Sequence, residues 1–234
     1  FGDLLDRQDI TEIVINKFGQ IYYEDETGFH LGTPEECKKV TEIACKEFAN
    51  TVASASGQKL TEQSAILGTT LANDERIQIV IPPVVDRNQF SITIRKPMSK
   101  NLSLEQYQES GFFDDIVIGD HIHEEDFLLA DFLDKKDFYN FFKLAVQSGL
   151  KNIAIAGATG SGKTTFMKSL IGYIPTDERI ITIEDVRELF SDKHENVVNL
   201  LYPSETKLTA DSVNPAKLLK SCLRMKPDRI LLAE

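Results

Sequence analysis

One stretch of the sequence constrains the fold more than any other, because it follows the phosphate-loop pattern G-x-x-x-x-G-K-[ST]. It consists of Gly157, Ala158, Thr159, Gly160, Ser161, Gly162, Lys163 and Thr164. Glycines let backbone N–H groups approach phosphate oxygens, and the helix that follows such a loop adds partial positive charge at its N-terminus. Lys163 can reach the β- and γ-phosphates of a nucleotide, and the Thr164 hydroxyl can bind Mg²⁺. The stretch therefore predicts a nucleotide-binding site.

The flanks of this loop have the order that the pattern requires. Residues 153–156 form a short apolar run, which predicts a buried strand. Behind the loop, apolar side chains recur at helical spacing, at Phe166, Met167, Leu170 and Ile171. The alternative, a glycine-rich turn that binds nothing, does not explain this order of strand, loop and helix.

From residue 150 onward, predicted strands alternate with predicted helices, which is typical of a parallel α/β sheet. The predicted strands cover residues 153–156, 179–183, 197–201 and 230–233. A helix is predicted at 215–225, because Asn214 can cap it and Pro215 suits its first turn. We therefore assign residues 137–234 to an α/β domain.

Residues 1–97 predict a smaller α+β domain. Residues 9–16 and 21–24 indicate a hairpin, and alternating strands follow at 76–81 and 90–96. A helix begins at Thr33-Pro34, where Glu36 completes a capping box, and its predicted apolar face consists of Cys37, Val40, Ala44 and Phe48. Residues 98–136 predict an acidic interdomain linker, with one short helix at 103–110.

Charge and cysteine content exclude several classes of protein. The net charge of −11 argues against direct nucleic-acid binding over a broad surface. The three cysteines form no C-x-x-C pattern, which indicates a reducing compartment without a structural zinc site. The sequence contains no uncharged apolar run long enough to span a membrane. Because it begins at Phe1 and ends directly after an apolar run, we expect further residues at both ends.

Acidic residues follow two of the predicted strands. Glu184 and Asp185 follow the strand at 179–183, Glu188 lies one helical turn later, and Glu234 follows the strand at 230–233. Ligands bind at the carboxyl ends of strands in open α/β sheets, so these acids are candidates for holding Mg²⁺ through water and for activating water. We assign the first role to Glu184 and Asp185, the second to Glu234, and a helper role to Glu188. The alternative is that these acids only end strands and face solvent.

Three segments together resemble the bacterial secretion (traffic) ATPases: residues 156–165, 179–189 and 221–234. Within that superfamily the resemblance is strongest to the VirB-type ATPases of type IV secretion systems. Residues 71–80 and 91–97 resemble the N-terminal domain of the same family. The combination of motifs is specific, whereas the phosphate loop alone would not be.

The resemblance implies a fold, a reaction and an assembly. It implies that the C-terminal part is a RecA-like ATPase domain, incomplete after the Walker B strand. It also implies that the protein forms homo-hexameric rings and binds ATP and Mg²⁺ between its N- and C-terminal domains. The nucleotide contacts then include Thr165 behind the loop and the arginines Arg76 and Arg95, which sequence alone would treat as surface residues. The family's Asp box matches Glu184, Asp185 and Glu188, and its Walker B motif matches Ala233-Glu234.

The resemblance also implies a place in the cell and leaves alternatives open. It implies a cytoplasmic protein, peripheral at the bacterial inner membrane, whose partners are inner-membrane components of a type IV secretion system. The linker resembles that of members whose N-terminal domain lies over a neighbouring subunit. A type II secretion or type IV pilus motor shares the core, but often carries a four-cysteine metal motif. A kinase would need a lid segment, and a scaffold would bind ATP without turnover.

Overall fold

A computed structural model of the chain describes residues 2–97, 103–114, 116, 123–203 and 213–233. Two compact units are present: residues 1–98 together with 176–234, and residues 99–175. These two compact units do not test the predicted domain boundaries at 97 and 136, which stay a prediction.

The N-terminal part of the first unit is a six-stranded antiparallel sheet with three helices. The strand order is β3-β2-β1-β6-β5-β4. Its elements are α1 (Gly2–Asp6), β1 (Glu12–Ile15), β2 (Tyr22–Asp25), β3 (Gly28–Leu31), α2 (Pro34–Lys39), α3 (Glu42–Ala55), β4 (Ile66–Thr70), β5 (Arg76–Val80) and β6 (Ser91–Arg95). The predicted strands and the hairpin of β1 with β2 are confirmed, whereas β3 and β4 were not predicted.

Alternating isoleucines build the core between this sheet and its helices. Ile13 and Ile15 of β1, Ile77 and Ile79 of β5, and Ile92 and Ile94 of β6 are each at most 2% exposed. They cluster with the apolar face of α3, formed by Cys45, Ala49, Val52 and Ala53. This period of two places the polar residues between them on the opposite face of the sheet.

One predicted helix is two helices in the structure. The capping box of Thr33 and Glu36 is confirmed at the start of α2, but α2 ends at Lys39 and Val40 leaves the helical region with ψ of 68°. Thr41 then accepts a hydrogen bond from the Ala44 N–H and starts α3. The prediction of one continuous apolar face was wrong, because a second N-cap residue competes with continuation of the helix.

The second unit is helical in its described residues. It contains α4 (Leu104–Glu109), α5 (Glu124–Asp134), α6 (Phe138–Ser148) and α7 (Lys163–Ile171). The predicted short helix at 103–110 is confirmed as α4, which begins with a capping box of Ser103 and Gln106, and α6 ends at Gly149, whose φ is 69°. The helix α5, which packs on α6, was not predicted within the acidic stretch.

The predicted strand at residues 153–156 is not formed, and this expectation was wrong. These residues belong to neither sheet, and Ile153 is 39% exposed. Extended backbone counts as a strand only when a neighbour pairs with its N–H and C=O groups. The apolar run identifies a segment suited to pairing, but it does not supply a partner strand.

The first unit also contains a three-stranded parallel sheet of order β8-β7-β9. Its elements are β7 (Ile180–Glu184), β8 (Val197–Leu201), α8 (Pro215–Cys222) and β9 (Arg229–Leu232). The predicted strands and the Asn214 cap of α8 are confirmed, although α8 ends three residues earlier than predicted. Its core includes Ile181, Ile183, Leu200 and Leu218 together with Val80 of β5. Both sheets of this unit therefore share one apolar layer.

Among the residues with described positions, no helix combines the length and the apolar character that crossing a bilayer requires.

Candidate functional site

The phosphate loop bends through two glycines with positive φ. The φ angles are 77° at Gly160 and 89° at Gly162, values that disfavour any residue with a Cβ. Gly162 is the N-cap of α7 and provides no side-chain cap, so the first N–H groups of the helix face the loop unsatisfied by a cap. Such a helix start can bind an anion, because its N–H groups and its dipole both favour negative charge.

The Lys163 side chain folds over the loop and holds its shape. Its Nζ donates to the carbonyl oxygens of Gly157 at 3.1 Å and Ala158 at 3.2 Å. The Ser161 N–H closes the loop by donating to the Ala158 oxygen at 3.1 Å. A Cβ on Gly157 would lie 2.6 Å from Ser161 Oγ, so a larger residue there would require the Ser161 hydroxyl to move. The loop is thus bent around the lysine ammonium.

The helix behind the loop is anchored by aromatic contacts within the same unit. The rings of Phe142 on α6 and Phe166 on α7 meet edge to face, with centroids 5.1 Å apart. Farther along, the hydroxyl oxygens of Tyr139 and Tyr173 are 3.3 Å apart. Thr164 is partly buried and Thr165 exposed in the first turn of α7. These contacts fix the direction of α7, and hence of its N-terminal N–H groups.

Glu184, at the end of β7, is fully buried and accepts hydrogen bonds at both carboxylate oxygens. Oε2 accepts from the N–H groups of Glu188 and Leu189, each at 2.7 Å. Oε1 accepts from the Thr182 hydroxyl at 2.5 Å and from Asn199 Nδ2 at 3.4 Å. The carboxylate therefore ties the segment after β7 back onto the sheet. Its predicted role in holding Mg²⁺ stays a prediction.

Replacing Glu184 with alanine should lower the free energy of unfolding by about 3 kcal/mol, because the buried Leu189 N–H, the partly buried Glu188 N–H and the buried Thr182 hydroxyl lose an acceptor. Urea unfolding of the chain would measure the change. The matched control is Asp185→Ala, since Asp185 is exposed, and we expect a change of about 0.5 kcal/mol or less. Equal effects of the two substitutions would contradict a structural role for Glu184.

The other predicted acids lie around the same strand end. Asp185 and Glu188 are exposed, and Asp185 Oδ1 accepts from the Val186 N–H at 2.7 Å. Between them, Arg187 pairs with Asp86 and lies over the ring of Phe190, 5.0 Å from its centroid. Glu234 lies outside the described residues. Among the residues searched, no three His, Cys, Asp or Glu side chains converge as a metal site would require.

The two predicted arginines stand directly opposite each other on neighbouring strands. Arg76 on β5 pairs in register with Arg95 on β6, and Arg95 pairs in register with Glu12 on β1. The Arg95 Nε is 3.4 Å from Glu12 Oε1. Like charges directly opposite in a sheet are destabilising, so the exposed Arg76–Arg95 pair is poised to gain from a bound anion.

The Glu12 carboxyl is 2% exposed, and its Oε2 lacks a hydrogen-bond partner in the described residues. Burial raises the pKa of this carboxyl from 4.5 to about 7, against the opposing effect of Arg95. Because the folded state holds this proton more tightly, the contribution of Glu12 to stability is greatest below pH 4.5 and is lost as the pH rises from 4.5 through about 7.

This raised pKa predicts a pH-dependent effect of Glu12→Gln. Between pH 4.5 and 7, the variant should gain up to about 3 kcal/mol in free energy of unfolding relative to the parent chain. Urea unfolding at several pH values measures the difference. A difference that stays constant with pH would contradict the raised pKa.

Arg76 and Arg95 lie at one end of the paired strands β5 and β6, and the acids that follow β7 lie near the other end. The loop that joins these strands contacts the carboxyl ends of β7 and β8, where the Val84 oxygen accepts from Leu201 N–H at 2.7 Å. Arg76 begins β5 and Arg95 ends β6, so both lie one strand length, about 13 Å, from the loop that joins these strands. Within this unit, the predicted site residues are therefore brought together as two groups.

Sequence reasoning missed a buried polar cluster at the start of β7. Arg179 is 0% exposed, and its side chain donates to Asn16, Asn196 and the Met225 carbonyl oxygen. A charged residue next to the apolar run at 180–183 was the only available signal. Nothing in the sequence linked it to Asn16, which precedes it by 163 positions.

A lysine-bearing phosphate loop at a helix start, with a parallel sheet whose strand ends carry acids, defines a P-loop nucleotide-binding protein. The family described as "Type II/IV secretion system protein" matches residues 130–234. The chain is similar to the bacterial secretion ATPases, and in particular to their VirB-type members.

Individual relatives support this assignment over nearly the whole chain. VirB11 of Bartonella henselae is 44% identical over 240 residues, which cover 97% of this chain and 65% of the relative. VirB11 of Brucella suis is 40% identical over 233 residues, which cover 98% and 63%. The crystal structure of the VirB11 ATPase from Brucella suis in complex with sulphate superposes with a TM-score of 0.89 at 37% identity, covering 99% of this chain and 66% of that one. The chain thus spans slightly less than two thirds of these relatives' length.

Proposed function

We propose that this chain carries the nucleotide site of a Mg²⁺-dependent ATPase that powers type IV secretion, through pilus assembly, substrate translocation or both. The observation that carries the proposal is the uncapped N-terminus of α7 behind a loop shaped by Gly160, Gly162 and Lys163. The curated relatives are named as type IV secretion system proteins, which supports this process over others.

The loop residues divide the work of holding ATP. The backbone N–H groups of residues 157–165 and the start of α7 surround the phosphates, and Lys163 turns from the loop carbonyls to the β- and γ-phosphates. The Thr164 hydroxyl would hold Mg²⁺, and Glu184 and Asp185 would support it through water. When bound, Mg²⁺ neutralises charge on the β- and γ-phosphate oxygens. The Thr164 hydroxyl and the exposed Asp185 carboxylate fit this role, since both are oxygen ligands, whereas both Glu184 oxygens already accept hydrogen bonds within the protein.

Hydrolysis requires an oriented water and neutralisation of the developing charge. Glu234 activates the water in this proposal, with Glu188 as a helper. Arg76 and Arg95 approach the γ-phosphate and neutralise charge that builds there. Since both arginines lie at the far end of β5 and β6 from the acids, we propose that they serve the nucleotide of a neighbouring subunit in a homo-hexamer.

The setting follows from the same family. We place the protein in the cytoplasm, peripheral at the bacterial inner membrane, with inner-membrane components of the secretion system as partners. Direct nucleic-acid contact over a broad surface is not expected at a net charge of −11.

The test is phosphate release from ATP and Mg²⁺ by the full-length protein, with the oligomer mass recorded in the same buffer. We expect release to rise as hexamers form and to stop when EDTA removes Mg²⁺. ATP binding without release in every oligomeric state would overturn the proposal in favour of a scaffold. Transfer of the γ-phosphoryl group to an added acceptor alcohol, with ADP formed and no free phosphate released, would overturn it in favour of a kinase.

A further inference from the structure

Arg179 lies where five elements of the first unit meet: β1, β7, β8, α8 and β9. Its N–H donates to Asp228 Oδ2 at 2.7 Å, and its carbonyl oxygen accepts from the N–H groups of Asp228 and Arg229, which sets β7 in register with β9. Its Nε donates at 2.8 Å to the oxygen of Met225, three residues after the end of α8. One residue thus fixes the start of β7 against its neighbours.

The guanidinium also reaches the N-terminal sheet. Its Nη1 donates to Asn16 Oδ1 at 2.8 Å and to Asn196 Oδ1 at 2.5 Å. Asn16 Nδ2 donates to the same Asn196 oxygen at 2.8 Å, which closes a triangle of three side chains. Asn16 follows β1 directly and Asn196 precedes β8 directly. The triangle therefore joins the sheet that carries Arg95 to the sheet that carries Glu184.

Burying the Arg179 guanidinium between the two sheets costs free energy that a purely structural contact would not need to spend. Arg179 is completely buried, its Nη2 has no hydrogen-bond partner, and no carboxylate bonds to its side chain among the described residues. Burial lowers the pKa of the guanidinium to about 10. Apolar packing would join two sheets at least as stably as a buried charge, but without fixing a hydrogen-bond geometry.

The opposite end of β7 carries the acids. The strand is five residues long, and Glu184 at its end holds the N–H groups of Glu188 and Leu189. Paired strands in a packed core do not stretch, so a shift at Arg179 is carried to Glu184 and the segment behind it. The position of the acids is thereby linked to the position of β1.

We propose that Arg179 is a positioning residue that, through Asn16, couples the N-terminal sheet to the acid segment 184–188 during ATP hydrolysis. The expected effect of this coupling on ATP turnover rests on the proposed function. Its structural consequence, order of the segment at 184–189, does not depend on turnover.

The test uses the full-length protein and a double-mutant cycle. Asn16→Ala and Arg179→Met should each lower kcat about tenfold and leave the KM for ATP within about twofold, because the acids are misplaced while the phosphate loop is intact. The double variant should lose no more than either single variant. Asn16→Asp keeps an acceptor oxygen for Arg179 and should stay within about threefold of the parent. Asn50→Ala, on the exposed face of α3, is the control and should change nothing.

Amide hydrogen exchange gives a second readout that needs no activity. We expect the amides of Glu188 and Leu189 to exchange faster in Asn16→Ala and Arg179→Met, and at the parent rate in Asn16→Asp and Asn50→Ala. Arg179→Met also guards against a folding failure of Asn16→Ala, because it replaces the buried charge with an apolar chain. Unchanged exchange, additive kinetic losses, or equal effects of Asn16→Ala and Asn16→Asp would overturn the proposal. A parent protein without turnover would refute the ATPase function, and the exchange rates would still decide the coupling.

Discussion

ATP turnover by the full-length protein is expected to fall by about 100- to 1000-fold when Lys163 is replaced with alanine. The ammonium group is the cation that the loop itself offers to the phosphates, and removal of one preorganised charge or donor at a reacting group costs a factor of this size. The loop also loses the bonds from Nζ to the oxygens of Gly157 and Ala158. Nucleotide affinity should therefore fall together with kcat.

Phosphate release at several ATP concentrations would separate the two effects. The matched control is Lys168→Ala, an exposed lysine in the last turn of the same helix, and we expect turnover within about twofold of the parent. Thermal unfolding of both variants checks that the fold is retained. Turnover by Lys163→Ala within about threefold of the parent would refute the assigned role of the loop.

Arg95→Ala should also lower turnover about 100-fold or more, and mixing it with Lys163→Ala should restore part of the activity. If the arginines serve a neighbouring subunit, a random mixed ring contains intact Lys163 and Arg95 at about one interface in four. We expect the mixture to regain about a quarter of the parent turnover. This recovery would be easy to measure, since each variant alone is nearly inactive.

The mixture discriminates between two geometries of the site. If Arg95 and Lys163 act within one subunit, no intact site forms on mixing and turnover stays at the level of the single variants. The control is Lys163→Ala mixed with the double variant Lys163→Ala/Arg95→Ala, which cannot form an intact site in either geometry. Native mass spectrometry of subunits carrying different tags confirms that the rings exchange.

Most strands and caps could be predicted because their signals are local. Alternation at Ile77 and Ile79, the capping box at Thr33, and Asn214 before Pro215 each act within a few residues. The signal for the break between α2 and α3 was also local, because Thr41 can cap a helix. The apolar spacing that continues across Val40 favoured one helix instead. The partner of an extended segment is a long-range property, and this explains the failure at residues 153–156.

The candidate site shows the same division. The conformation of the phosphate loop follows from its glycines, so the bend at Gly160 and Gly162 was predictable. The burial of Glu184 was not predictable. The groups that donate hydrogen bonds to its carboxylate, which include Thr182, Asn199 and the Leu189 N–H, come together only in the folded sheet. Arg179 and Asn16 are 163 positions apart and no periodic pattern connects them.

The three-stranded sheet ends at β9, and this has a practical consequence. In the described residues, the outer edge of β9 has no neighbouring strand, and Leu232 on it is 47% exposed. An uncovered, apolar edge is a template for strands of other molecules. A preparation of these 234 residues would therefore tend to form soluble aggregates as its concentration rises, and a charged residue in place of Leu232 would be the first change to improve its behaviour.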